Sequence, residues 1–330
     1  MKVAHYGRYG DPAAVIEIAD AQIGDPSPDE VVIAMEAAPV HLADLYCMQG
    51  KRSFRMPLPA IPGYEGIGRI KQLGGKVKTF NEGDRVFAPV SLTGGTWREE
   101  TIVAAGSLIP APDGDAVQLA LMPINPPTAY LMLEDFGELK RGDWVIQNAA
   151  NSNCGRYLIE LAKLKGIRTV NVVRRQEVIP ELEALGGDVV LLDGPDLPER
   201  VKEATGGQEM RLAIDAVNGE ATERLGRCLA DDCTILAYGM LTDDPCKVPP
   251  DMMFIHGLKL IGFWTIRQFK QRTRKQVLEV YEHLTGLVGE GKLTAKIAGA
   301  YPLDQVKEAV THAARRGAER DGKVILTMQA

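Results

Sequence analysis

An α/β fold is predicted, in which a β-rich module precedes a parallel, doubly wound sheet, and three features of the sequence carry that prediction. Residues 1 to about 118 hold short β-rich runs, such as Glu30–Met35 and Arg85–Pro89, separated by Gly, Pro and Asp clusters that read as turns. A short apolar strand at Trp144–Ile146 then runs into the polar turn Asn148–Gly155. Arg156–Lys165 follows it, with apolar positions at Leu158, Ile159, Leu161, Ala162 and Leu164 that have helical spacing. Beyond that opening, strand-like and helical stretches alternate, the pattern of βαβ units.

Taken in order, the second strand is Thr169–Val173 and the helical stretch after it is Gln176–Leu185. Strand-like runs at Asp188–Leu192, Leu212–Ala216 and Thr234–Ala237 continue the pattern, with Ala221–Leu229 helical between the last two. Lys259–Phe263 is a candidate sixth strand, and the amphipathic Arg274–Glu290 helix comes after it. A final strand at Lys323–Met328 stands too far from this series for periodicity to place it. No internal repeat or low-complexity segment interrupts the chain.

With 330 residues, 45% hydrophobic and 25% charged, the chain can bury a sizeable core and has the length of about two domains. Its net charge of -6 provides no electrostatic footprint for nucleic acid or an anionic membrane surface, so small molecules are the expected partners. Gly, Asp and Pro break the N-terminal segment where a signal peptide needs an apolar run, and no membrane span is expected. Five cysteines, an odd and sparse set, suit a reducing compartment, by default the cytoplasm.

Phosphates favour a helix N-terminus, where unpaired N–H groups meet the positive end of the dipole. Asn151–Gly155 supplies such a surface, although only Gly155 matches the usual three-glycine fingerprint, and a purely structural turn is the alternative. Arg174 and Arg175 close the second strand where an NAD site places an acidic residue against the ribose hydroxyls. Two guanidinium groups suit a 2′-phosphate that a carboxylate would repel, so NADPH is the expected cofactor, the alternative being a solvated pair.

These residues, together with Ile124-Asn-Pro-Pro-Thr-Ala-Tyr130, Ala237-Tyr-Gly-Met240, Gly262-Phe-Trp264 and Lys323-Val-Ile-Leu-Thr-Met328, resemble the medium-chain dehydrogenase/reductase superfamily. The resemblance spans nearly the whole chain. It is greatest to the zinc-free mitochondrial-type 2-enoyl thioester reductases and their quinone-reductase-like relatives. It implies a GroES-like substrate domain formed by residues 1–118 and 265–330, a Rossmann domain over 119–264, an active-site cleft between them, and a homodimer. It places Asn125 and Thr128 near the nicotinamide, Ser152, Cys154 and Gly155 near the pyrophosphate, and Arg174 and Arg175 at the 2′-phosphate. It adds cofactor contacts from Tyr238, Gly239, Met240, Phe263, Trp264 and Lys323. Without it, Tyr238, Phe263 and Trp264 would read as core packing and Lys323 as a solvated lysine.

Zinc-dependent members of this superfamily take ligands from a Cys three residues before an Asp and from the His of Gly-His-Glu. Here those places hold His41, before Asp44, and Tyr64, in Gly63-Tyr-Glu-Gly66, while the third ligand position holds Ile124. A neutral tyrosine is a poor zinc ligand, so no metal is expected. Without a Lewis acid, hydride addition to a polarised alkene is favoured over alcohol oxidation. The enoyl reductases carry a proton-donating tyrosine just after an Ile-Gln-Gly segment. Here Met48-Gln-Gly50 leads to Lys51-Arg-Ser-Phe54, with Arg52 in that place. Tyr64 and Tyr46 are the substitute candidates, and Arg52 is a candidate for a substrate carbonyl or anion. The expected activity is NADPH-dependent reduction of an enoyl thioester or enone. A quinone reductase is the alternative within the class, and a non-catalytic NADPH-binding structural or nucleic-acid-binding protein is the alternative outside it.

Overall fold

A computed structural model describes residues 1–51, 55–88, 95–315 and 317–328. The chain divides into two compact units, Met1–Ile124 with Leu278–Ala330, and Asn125–Val277.

The first unit is built from β1 (Lys2–Tyr6), β2 (Ile16–Asp20), β3 (Glu30–Val40), β4 (Gly66–Leu73), β5 (Arg85–Ala88), β6 (Glu100–Ala104) and β7 (Ile109–Pro110). Two strands from the end of the chain, β14 (Ile297–Pro302) and β15 (Lys323–Thr327), complete it. β1 and β2 pair as an antiparallel ribbon, and the remaining strands form a sheet in the order β14-β15-β3-β4-β5-β7, with β6 also on β3. β3 runs to Val40, well past the Met35 at which the apolar run in the sequence weakens. Its second half is held by β15, whose Val324, Ile325, Leu326 and Thr327 oppose Val40, Pro39, Ala38 and Ala37. Strand propensity could not reveal that partner, which lies nearly 300 residues away in sequence. Ile33, Met35, Val86, Trp97, Leu108, Val306 and Val310 share one buried core, and Trp97 donates its indole N–H to the Pro39 carbonyl at 3.3 Å.

The second unit carries a six-stranded sheet in the order β10-β9-β8-β11-β12-β13, comprising β8 (Trp144–Gln147), β9 (Arg168–Val173), β10 (Val189–Leu192), β11 (Met210–Asp215), β12 (Leu229–Ala237) and β13 (Lys259–Gly262). Every pairing is parallel. The order reverses beside β8, so the crevice at its carboxyl end is a topological switch point. Leu229 begins β12 and does not end the preceding helix, which stops at Gly226; its side chain packs under the sheet with Ile235 and Leu225. The Gln176–Leu185 segment is a short 3-10 turn followed by a helix from Ile179, where Pro180 suits the first turn of a new helix. Among the described residues no helix is long and apolar enough to cross a membrane.

Candidate active site

In the second unit the turn after β8 is assembled from polar side chains. Gln147, fully buried, donates from Nε2 to the Gly155 carbonyl at 3.0 Å and to Asn171 Oδ1 at 2.8 Å, tying the turn to β9. Asn148 donates to the buried carboxylate of Asp215 at 2.6 Å and accepts from the Ala216 N–H at 2.8 Å, tying it to β11. Asp215 also accepts from the Val217 and Asn218 amides and from Thr222 Oγ1. The sequence did not single out this hub. Its residues are buried polar groups in strands, which carry no periodicity of their own.

The helix Asn153–Lys165 follows, with Ser152 as its N-cap accepting from the Gly155 N–H at 3.1 Å. A Cβ on Gly155 would stand 2.7 Å from the Ala150 carbonyl oxygen and 2.8 Å from its Cα, so glycine is what lets the helix seat this closely. That is the helix-packing role of the last glycine in a dinucleotide turn. Tyr238, just beyond β12, hydrogen-bonds both Ser152 and Cys154, and burial followed by the nearby Cys154 pushes its phenol far above the ordinary range. Gly239 comes next, and Met240 is 45% exposed. Ser152, Cys154, Gly155 and Tyr238 are therefore one cluster.

Arg174 and Arg175 leave the carboxyl end of β9. Arg174 is exposed, and Arg175 pairs with Glu177 at 3.3 Å. Asn125 and Thr128 lie in the first turn of the helix Asn125–Glu134 and are buried. Asn125 Nδ2 is a buried donor with no protein acceptor among the described residues, whereas the Thr128 hydroxyl is bonded to that of Thr265. Phe263 is buried edge-on against Phe136, with centroids 5.9 Å apart, while Trp264 remains 42% exposed. A cavity of this unit lies beside the amino ends of β8 and β13, lined by Lys140, Arg211 and Lys259 together with Glu138, Asp143 and Asp231. It is at the opposite end of the strands from the switch point, so it is not the dinucleotide crevice.

In the first unit the helix Leu42–Met48 and the turn before β4 converge. Buried Asp44 accepts from the His41 N–H at 2.9 Å and the Gly63 N–H at 3.0 Å, and desolvation raises its carboxyl to about 7 against those two bonds. Gly63 has φ +106°, a conformation that favours glycine, and so aims its N–H at Asp44. His41 Nε2 lies 2.5 Å from Oε1 of fully buried Glu65, and its Nδ1 lies 2.8 Å from Lys323 Nζ. Tyr64 turns the other way, its hydroxyl 3.0 Å from Cys47 Sγ, in a recess bounded by Tyr6, Cys47 and Met56. Tyr46 is half-buried on the same helix as Cys47. Arg52 lies outside the described residues.

These side chains do not fit a catalytic zinc. Both His41 nitrogens are committed to protein partners, the Tyr64 oxygen is held by a thiol, and Ile124 has no donor atom in its side chain. The Glu65–His41–Lys323 contact was not anticipated from sequence, where Lys323 stands 282 residues from His41.

Residues 27–113 match the family model of the alcohol dehydrogenase GroES-like domain, and residues 154–283 match that of the zinc-binding dehydrogenases. The mitochondrial enoyl-[acyl-carrier-protein] reductase of Homo sapiens is 34% identical over 314 residues, covering 92% of this chain and 83% of the relative. That of Dictyostelium discoideum is 31% identical over 328 residues, covering 97% and 93%. A Bacillus thuringiensis protein described as an NADPH:quinone reductase superposes with TM-score 0.91 at 29% identity, over 99% of this chain and 98% of the other. The Etr1p complex with NADP and crotonyl-CoA superposes with TM-score 0.85 at 26% identity, over 99% of both chains. With the dinucleotide turn, the six-stranded parallel sheet and relatives matched over almost their full length, this chain belongs to the medium-chain dehydrogenase/reductase superfamily, in the branch of the mitochondrial-type enoyl reductases.

Proposed function

We propose that this protein is an NADPH-dependent reductase of an activated carbon–carbon double bond, with a 2-enoyl thioester or an enone as substrate. The observation that carries the reading is the turn after β8. There a close-packed Gly155 and the Ser152–Tyr238 contact form an anion-binding helix N-terminus, and Arg174 and Arg175 stand one strand away where an acid would select NADH.

NADPH, when bound, supplies the hydride. On this reading Ser152, Cys154, Gly155, Tyr238, Gly239 and Met240 hold the pyrophosphate side, and Arg174 and Arg175 fork onto the 2′-phosphate. The unsatisfied Nδ2 of Asn125 suits an acceptor on the nicotinamide or its ribose, because a buried donor left unpaired costs about 1–3 kcal/mol. Thr128, Phe263, Trp264 and Lys323 complete the cofactor contacts. The remaining tasks are stabilisation of the enolate oxygen and protonation of the α-carbon, for which Tyr64 is the proposed hydroxyl, with Tyr46 and Arg52 as rivals.

Consumption of NADPH against a panel of enoyl-CoA, enone and quinone substrates tests the reading. Preferential turnover of the thioesters or enones supports it, and turnover of quinones alone replaces it with the quinone-reductase reading that the Bacillus neighbour favours. NADPH binding without turnover of any substrate overturns the enzymatic reading.

For the assembly we propose a homodimer through β13, the open edge of the parallel sheet. Leu260 and Ile261 are 39% and 37% exposed there, beside Phe254 at 75% and Ile255 at 65%. An apolar edge strand of this kind is an invitation to pairing, and a two-fold copy satisfies it on both sides at once. A monomeric mass by light scattering would refute it. A reducing compartment, the cytoplasm by default, is the proposed location, in keeping with five cysteines that form no disulfide with one another.

A further inference from the structure

We propose that His41 is a positioning residue that, backed by Glu65, holds the ammonium of Lys323 in place for the bound dinucleotide. This rests on the cofactor reading above and goes beyond it, because no dinucleotide contact is assigned to His41 or Glu65.

The contact is written into the sheet register. β15 runs antiparallel to β3 with Val324 opposite Val40, so the next pair along the ladder brings Lys323 to His41, 282 residues apart in sequence. A one-residue slip would turn Lys323 to the other face. Proton accounting then fixes the tautomer. An ammonium can only donate, so His41 Nδ1 carries the lone pair and accepts from Lys323, and the ring proton sits on Nε2 and is donated to the Glu65 carboxylate. In that state Glu65 Oε1, a neutral imidazole and an ammonium satisfy one another. Passing the Lys323 proton to His41 would give an imidazolium beside a neutral amine, and passing the Nε2 proton on to Glu65 as well would give a neutral acid beside a neutral amine. Either change takes the positive charge away from Lys323.

Burial and the Lys323 ammonium act on Glu65 in opposite directions, while both keep His41 neutral. Burial drives the Glu65 carboxyl well above its ordinary value, and the leading influences opposing it are the Lys323 ammonium and the Ile124 N–H. Burial, then the same ammonium, holds His41 well below its ordinary value and keeps the ring neutral. Among the described residues Glu65 Oε2 is buried with no hydrogen-bond partner, and Oε1 faces His41. A carboxylate buried behind a histidine is the device that elsewhere fixes a ring's tautomer and aims its far nitrogen. Here the far nitrogen aims a lysine.

The test is a double-mutant cycle on the full chain, reading NADPH dissociation constants by fluorescence titration. His41→Ala and Lys323→Ala should each weaken NADPH binding about tenfold. The double variant should be no worse than either, because the two act as one unit. His41→Gln, which can accept from Lys323 and donate toward Glu65, should recover most of the affinity. Multiplying losses in the double variant overturn the coupling, and an unchanged dissociation constant in His41→Ala overturns the positioning role. Failure of the unmodified protein to bind NADPH overturns the cofactor reading and the purpose given to Lys323 with it. Should His41→Ala fail to fold, nitrogen-15 NMR of the unmodified protein decides, since the chain has only five histidines. A neutral ring protonated at Nε2 supports the arrangement, and one protonated at Nδ1 overturns it.

Discussion

The sulfur of Cys47 lies 3.0 Å from the hydroxyl oxygen of Tyr64, and burial pushes both groups upward, so that thiol and phenol alike stay protonated near neutral pH. A thiol donating to the phenol oxygen leaves the phenol hydrogen for an outside acceptor. A phenol this reluctant to ionise serves better as a hydrogen-bond donor to an enolate oxygen than as a proton source. Tyr64→Phe should therefore lower turnover roughly 10²–10³-fold with NADPH affinity nearly unchanged. Cys47→Ala should cost less than tenfold, since it removes only the group orienting the hydroxyl. Tyr46→Phe is the control: if it carries the large loss and Tyr64→Phe carries none, Tyr64 is a packing residue.

Arg174 and Arg175 are not equivalent. Arg175 already pairs with Glu177, whereas Arg174 is exposed and, among the described residues, has no ion-pair partner. Replacing both with Ala should weaken NADPH binding more than NADH binding, with each lost charge-assisted contact worth about 1.5–3 kcal/mol. Arg174→Ala should account for the larger part. Equal affinity of the unmodified protein for the two dinucleotides would refute a 2′-phosphate site.

The nucleotide half of the site was legible because its chemistry is local. Strand, turn, helix and the arginines after the next strand lie within about thirty residues, and short-range spacing survives in sequence. The β-rich unit was not legible in the same way. The strand Lys323–Thr327 shows only five residues of ordinary β pattern, and its partner β3 lies at the other end of the chain, so neither the length of β3 nor the His41–Lys323 contact could be read. Buried polar groups such as Asp215, Gln147 and Glu65 escaped for a related reason: their function is to satisfy one another, and that depends on strands meeting in space.

Asp44 makes the stability of the fold depend on pH in an unusual direction. Its carboxyl is raised to about 7 in the folded protein, above its unfolded value of about 3.9, so the folded state binds more protons between those limits. Its contribution to stability is full below about pH 4 and is lost as pH rises through 7; buried Glu65 is shifted in the same direction. Urea midpoints should accordingly fall between pH 5 and pH 8. Asp44→Asn should flatten that slope, while its loss of one backbone acceptor costs about 1–3 kcal/mol at every pH. An identical slope in the variant would show that Asp44 does not titrate there.

Two glycine substitutions should have opposite signs. Gly286 lies exposed inside the helix Arg274–Gly289 with nothing within 4 Å of an added Cβ, so Gly286→Ala should stabilise by about 0.5–1 kcal/mol, the entropy that a helical glycine forfeits. Gly155 is the reverse case, because an added Cβ meets the backbone of Ala150 at 2.7–2.9 Å, and backbone cannot swing aside as a side chain would. The helix must move away from β8. Because Ser152 Oγ accepts from the Gly155 N–H and Gln147 Nε2 donates to the Gly155 carbonyl, both ties loosen with it. Gly155→Ala should cost about 1–3 kcal/mol of stability and weaken NADPH binding at least tenfold, since the N–H groups aimed at the pyrophosphate shift with the helix. Thermal melts with and without NADPH measure both quantities. If Gly155→Ala loses stability yet keeps the full NADPH-induced rise in melting temperature, the turn is a packing element and the pyrophosphate is held elsewhere.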